Sequence, residues 1–147
     1  MRLACLALGW LPVLGQTSHV AKAPGDTVTL EISADSQPAR APVALQWEVV
    51  FPAQLMDLES DAPEIGSAAR DSGKSLQCTQ RTPYAYVCIL SGGQKPISNG
   101  PIAIYHFKIR PTAAAGVITL KIEKAEATTA DSMKWPLNNT EAIVIVR

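Results

Sequence analysis

A strict alternation of apolar and polar residues sets in after position 26 and constrains this chain more than any other feature. Over residues 27–33, Val28, Leu30 and Ile32 share one face, while Thr27, Thr29, Glu31 and Ser33 share the other. Val43, Leu45, Trp47, Val49 and Phe51 fall together, opposed by Ala44, Gln46 and Glu48. Ile118, Leu120 and Ile122 alternate with Thr119, Lys121 and Glu123. A period of two means strands with one face in a core and one in water. Residues 84–90, 102–110 and 142–147 add three strands rich in Val, Ile, Tyr and Phe. The last of these holds Ala-Ile-Val-Ile-Val with no polar face, so it is expected to be covered on both sides.

Turn chemistry separates these runs. Ala-Pro-Gly-Asp (23–26) precedes the first strand, and Gln-Pro-Ala-Arg-Ala-Pro (37–42) follows it. Ser-Gly-Gly (91–93), Asn-Gly-Pro (99–101), Ala-Ala-Gly (114–116) and Pro-Leu-Asn-Asn (136–139) divide the later ones. The only helical candidate is one or two turns around 67–72. Short strands at this spacing predict an all-β fold of two sheets, a sandwich or barrel. An immunoglobulin domain is excluded, because Trp47 precedes both internal cysteines and these lie too close together to bridge sheets as that fold requires.

At 147 residues the chain suits one domain. Thirteen basic and thirteen acidic residues leave no net charge, and so no long-range pull on phosphate backbones or anionic lipid. Nucleic acid and membrane surfaces are therefore excluded as partners. The first fifteen residues read differently. Met1 and Arg2 form a minimal basic start, residues 3–14 are apolar apart from Gly9 and Pro12, and Val13 and Gly15 occupy the −3 and −1 positions of a cleavage site. This pattern predicts a signal peptide over 1–15 and a mature domain over 16–147, secreted to the medium, the cell surface or a periplasm. A buried N-terminal strand and a misplaced start codon are the alternatives. No other segment is long and apolar enough to cross a membrane.

Removing the leader removes Cys5 and leaves Cys78 and Cys88, with nine residues between them. In an oxidising compartment the pair predicts a disulfide, whose loop closure stabilises by about 2–3 kcal/mol; two reduced, buried thiols are the alternative.

Reactive chemistry is sparse. His19 and His106 are the only histidines, and His106 sits mid-strand beside Ile104 and Lys108. No nucleophile elbow, metalloprotease helix, P-loop or dinucleotide turn is present, so no enzyme and no cofactor are expected. Asp57, Glu59 and Asp61, with Glu64 nearby, lack the EF-hand pattern; solvated acids are the expectation and a weak calcium site the alternative. Sugar faces stack on flat exposed rings. Trp47, Phe51 and Phe107 look inward, and Tyr105 shares the face of Phe107. Tyr84, Tyr86 and Trp135 remain as possible ligand contacts. Tyr84 and Tyr86 share a face with Cys88 and Leu90, which favours their burial. Trp135, followed by Pro136, is the best single candidate for an exposed contact.

With the strands placed, their order is informative. Ala-Pro-Gly-Asp-Thr-Val-Thr-Leu (23–30) opens the domain, and the long strand ending at Phe51 runs into Pro-Ala-Gln-Leu (52–55). The run 99–109, then Ala-Gly-Val-Ile-Thr-Leu (115–120), then Ile-Val-Ile-Val (143–146) follow. Across residues 19–147 this order resembles the cohesin-like domains of bacterial extracellular proteins, including short single-domain ones with an added cysteine pair. The resemblance implies a jelly-roll sandwich of about nine strands, related to cellulose-binding modules. It also implies a non-catalytic domain that binds a dockerin-like protein module in polysaccharide-degrading or cell-surface assemblies, with any calcium belonging to the dockerin. Direct polysaccharide binding is the first alternative and requires solvent-facing, coplanar rings. A structural or adhesive subunit assembling through an uncovered sheet edge is the second.

Overall fold

The computed structural model describes residues 2–7, 18–36, 41–60 and 62–147. In chain order the elements are β1 (Arg2–Ala7), β2 (Ser18–Lys22), β3 (Thr27–Asp35), β4 (Ala44–Val50), β5 (Met56–Leu58) and β6 (Glu64–Ile65). A short helix α1 (Ser67–Asp71) follows, then β7 (Ser75–Thr82), β8 (Ala85–Ser91), β9 (Gly100–Ile109), β10 (Gly116–Thr128), β11 (Lys134–Pro136) and β12 (Thr140–Val146). The smaller sheet runs β1-β3-β9-β5, with β6 also on β9; the larger runs β2-β12-β10-β4-β8-β7, with β11 also on β10. Every pairing is antiparallel except β2 with β12. The predicted two-sheet, all-β sandwich is thus the observed fold. Twelve strands among the described residues stand against the expected nine; three of them, β5, β6 and β11, are very short, and β1 lies inside the stretch that reads as a leader. The proposed cleavage site and residues 37–40 lie outside the described residues.

The alternating positions meet between the sheets. From the smaller sheet come Leu30 and Ile32 of β3 and Tyr105, Phe107 and Ile109 of β9; from the larger come Trp47, Leu90, Leu120 and Val144, all buried. Burying a side chain of this size stabilises by about 1.5–3 kcal/mol, so the strand faces are set chiefly by the alternation. The last strand departs from expectation. Its inner residues Ala142, Val144 and Val146 are buried, but Ile143 and Ile145 are only half-buried. They sit on the outward face, with Thr119 and His19 beside Ile143 in the ladder. An all-apolar strand inside a two-layer sandwich still has one face turned away from the core.

A buried polar bridge joins the layers. The Trp47 indole Nε1–H donates to the Tyr105 phenol oxygen at 2.9 Å, and that oxygen lies 3.0 Å from Cys88 Sγ. Cys88 is in a disulfide and carries no hydrogen, so the phenol O–H is the donor toward sulfur. One phenol on the smaller sheet therefore satisfies the indole of β4 and contacts the cysteine paired with it on β8.

Tyr105→Phe removes the acceptor and leaves the Trp47 N–H buried without this partner. We expect a loss of about 1–3 kcal/mol in urea unfolding, and a double-mutant cycle with Trp47→Phe in which the two losses are clearly less than additive. Additive losses would show that the bridge carries no energy.

Candidate interface on the larger sheet

The outward face of β7, β8, β4 and β10 is an array built by register. One row runs Gln77, Ile89, Gln46, Glu126, and the next runs Thr79, Val87, Glu48, Glu123. Ile89 is 43% exposed, which puts a large apolar side chain in the open among polar neighbours. Glu48 is the exception, only 7% exposed although it faces outward. Its Oε2 is covered by Arg81 at 3.2 Å from one side and Lys124 at 3.1 Å from the other. Both cations are themselves largely exposed, so each pair contributes at most about 1 kcal/mol to stability. The arrangement matters more for position: it fixes a carboxylate and two cations at the centre of the sheet.

Lys124 gets there through a β-bulge. The pairing of β10 with β4 slips between Glu123 and Glu126, and Lys124 takes a left-handed backbone with φ of 51°. The slip also changes the parity of the core face, from Ile118, Leu120 and Ile122 to Ala125 and Ala127. Strict alternation stops at 123. A reversal of parity before Ala125 and Ala127 was the available signal.

Beside this face a shallow groove of about 420 Å³ runs between the turn after β4 and the start of β10, lined by Pro52, Leu55, Tyr84, Val117 and Lys121 among others. Tyr84 and Val117 are 52% and 64% exposed.

The structure separates the three candidate rings. Tyr84 lies in the β7–β8 turn and lines the groove. Tyr86 is half-buried, stacked on Phe51 at 6.0 Å with 20° between the planes. Trp135 is half-buried against the core, because β11 pairs with β10 and sets Trp135 opposite Ala127. The expectation that Trp135 is an exposed loop contact is therefore corrected: the Trp-Pro segment is a short strand, not a loop. None of the three rings pairs with another, and among the described residues they form no coplanar platform.

The acids are dispersed among partners. Asp57 accepts from Arg110 at 2.7 Å, and Glu59 accepts from the Thr27 hydroxyl at 2.9 Å. Glu64 lies 3.6 Å from His106 Nε2, and Asp61 is outside the described residues. Among the described residues no three potential ligands cluster as a metal site. His106 also has Thr29 Oγ1 at 3.2 Å from Nδ1. This hydroxyl, imidazole and carboxylate lie in line on the outward face of the smaller sheet, where Thr29, Glu31 and Ile104 are ladder neighbours rather than the walls of a cleft.

Cys78 and Cys88 form the predicted disulfide, as direct cross-strand partners with Cα atoms 4.1 Å apart. It ties the edge strand β7 to β8 and carries Cys88 wholly into the core.

No protein-family model matches the chain, and no curated protein sequence does. Solved structures do. The sixth cohesin of scaffoldin B from Acetivibrio cellulolyticus, in complex with a Cel5 dockerin mutant, superposes with a TM-score of 0.78 at 14% identity, covering 99% of this chain and 98% of that one. A cohesin–dockerin complex of Clostridium thermocellum, OlpA cohesin with dockerin 918, gives 0.75 at 13% identity over 100% of both chains. A non-cellulosomal cohesin from the archaeon Archaeoglobus fulgidus gives 0.71 at 10% identity, covering 100% of this chain and 92% of that one. The fold is the cohesin fold.

Reducing the disulfide leaves β7 held to β8 by its ladder alone. We expect 5 mM dithiothreitol to lower the melting temperature by about 5–15 °C, from the short loop that the bond closes and the size of the domain. An unchanged melting curve with both thiols titratable would mean that the bond contributes nothing.

Proposed function

We propose that this chain is a non-catalytic recognition module that binds a dockerin-like protein module through the outward face of β7, β8, β4 and β10. One observation carries the reading: end-to-end likeness to a cohesin held in complex with a dockerin. The character of the face supports it. Protein interfaces of standard size bury about 800 Å² per partner on a flat surface, with an apolar centre and a polar rim. Ile89 and Val87 supply apolar area, and Gln46, Gln77 and Thr79 supply adaptable hydrogen bonding beside them. The Glu48, Arg81 and Lys124 cluster presents charge fixed in place before the partner arrives, which favours specificity over raw affinity.

The same proposal places the protein outside the cell, with residues 1–15 removed as a leader and the Cys78–Cys88 bond formed on export. This chain supplies neither a cofactor nor a metal to the binding, and its His106, Thr29 and Glu64 row has no catalytic part in it.

A pull-down of host secreted proteins, run beside retention on insoluble polysaccharide, tests this. We expect capture of a protein carrying a dockerin-like module and no retention on polysaccharide. Ile89→Arg should weaken capture at least tenfold, about 1.4 kcal/mol or more, while leaving the melting temperature unchanged because the side chain is exposed. Polysaccharide retention abolished by Tyr84→Ala, with capture of no protein, would replace the proposal with direct glycan binding.

A further inference from the structure

The seam where the two sheets meet beside β3 is closed by a single strand, β1. β1 is the outermost strand of the smaller sheet and pairs with β3 antiparallel over six positions, from Arg2 opposite Asp35 to Ala7 opposite Leu30. It also lies beside β2 and β12 of the larger sheet, so it closes the sandwich along that side. The register sets Leu3, Cys5 and Ala7 opposite Ala34, Ile32 and Leu30, all three of them buried core residues.

Removing residues 1–15 as a leader, the reading on which this inference rests, takes β1 away. The donors and acceptors on that edge of β3 then lose their partners directly above apolar core. The remaining chain cannot refill the place from its own start. Only Gln16 and Thr17 precede β2, and two extended residues reach about 7 Å, whereas six ladder positions need about 17–20 Å. The other described strands are already held in ladders of their own. An unpaired edge over an apolar floor is the physical basis of strand addition: main-chain hydrogen bonds supply affinity, and alternate side chains supply selectivity.

We propose that the exported domain carries a strand-acceptor seat along residues 30–35, which takes an extended segment of another protein, antiparallel to β3 and apolar at alternate positions. The seat lies on the smaller sheet, and the dockerin-like partner is assigned to the outward face of the larger one, so the two can be occupied together.

The test uses the full chain with a protease site inserted after Gly15, folded and then cut. The probe is a fluorescent peptide of residues 2–7 carrying Cys5→Ser. We expect the probe to exchange into the cut protein at one per chain and to slow amide exchange over residues 30–35 at least tenfold, while the uncut protein takes none. A probe N-methylated at alternate residues should bind at least tenfold more weakly. The seat is overturned by absence of uptake, by uptake indifferent to N-methylation, by unfolding of the cut protein in excess probe, or by a dimer that excludes the probe. The leader reading fails separately, if the intact mass of protein exported by the host still includes residues 1–15; the cut protein then still decides whether the seat binds.

Discussion

The two sheets are held in one relation by the Tyr105 phenol. An apolar core alone fixes which faces meet but tolerates sliding of one layer over the other, because dispersion and burial carry little directionality. A buried indole N–H does not tolerate it, since losing its acceptor leaves a desolvated donor. Trp47 and Tyr105 come from opposite layers and from strands 58 residues apart in sequence, so their bond sets the lateral register of the sandwich. The contact of the same phenol with Cys88 extends that constraint to the next strand of the larger sheet. Immunoglobulin domains also place a tryptophan against a disulfide, but there the disulfide spans the layers. Here the disulfide lies within one sheet, and a phenol does the spanning.

Much of this was legible in the residues. Period two placed β3, β4 and the first half of β10, and it assigned Trp47, Tyr105 and Phe107 to the interior. The Cys78 and Cys88 pair is legible as a disulfide from its spacing, and the fold makes it a cross-strand bond between β7 and β8. What could not be read depended on long-range geometry. Trp-Pro followed by Leu-Asn-Asn has loop composition and so suggests an exposed Trp135; pairing of β11 with β10, a tertiary event, draws it onto the core. The half-exposure of Ile143 and Ile145 escaped because composition shows that a strand is apolar on both faces but does not show how many layers cover it.

The candidate interface was the least legible part. Rings and clustered acids are the residue types that mark sugar and metal sites, and the fold disperses the three candidate rings. A protein-binding face needs no special residue type. It arises where register brings Ile89, Val87, Gln46 and Thr79 side by side, and their sequence separations carry no trace of that adjacency. Lys124 is the sharpest instance. It belongs to the polar face only because a bulge absorbs an extra residue, and an unbulged strand would bring different side chains of β10 over Glu48.

The position of the disulfide follows from the same geography. β7 is an edge strand, and its inward residues Leu76 and Cys78 are only half-buried, so burial holds it weakly. A strand with so little core contact would fray were it not covalently joined to β8. Arg81 stands on β7 three residues beyond Cys78 and supplies half of the cover over Glu48. The bond therefore acts at a distance on the proposed interface: by holding an underburied edge in register, it keeps Arg81 over Glu48 and the central charge of the face in place. The core stabilises the two layers, and the staple reinforces the strand of the binding face whose inward residues Leu76 and Cys78 are only partly buried against it.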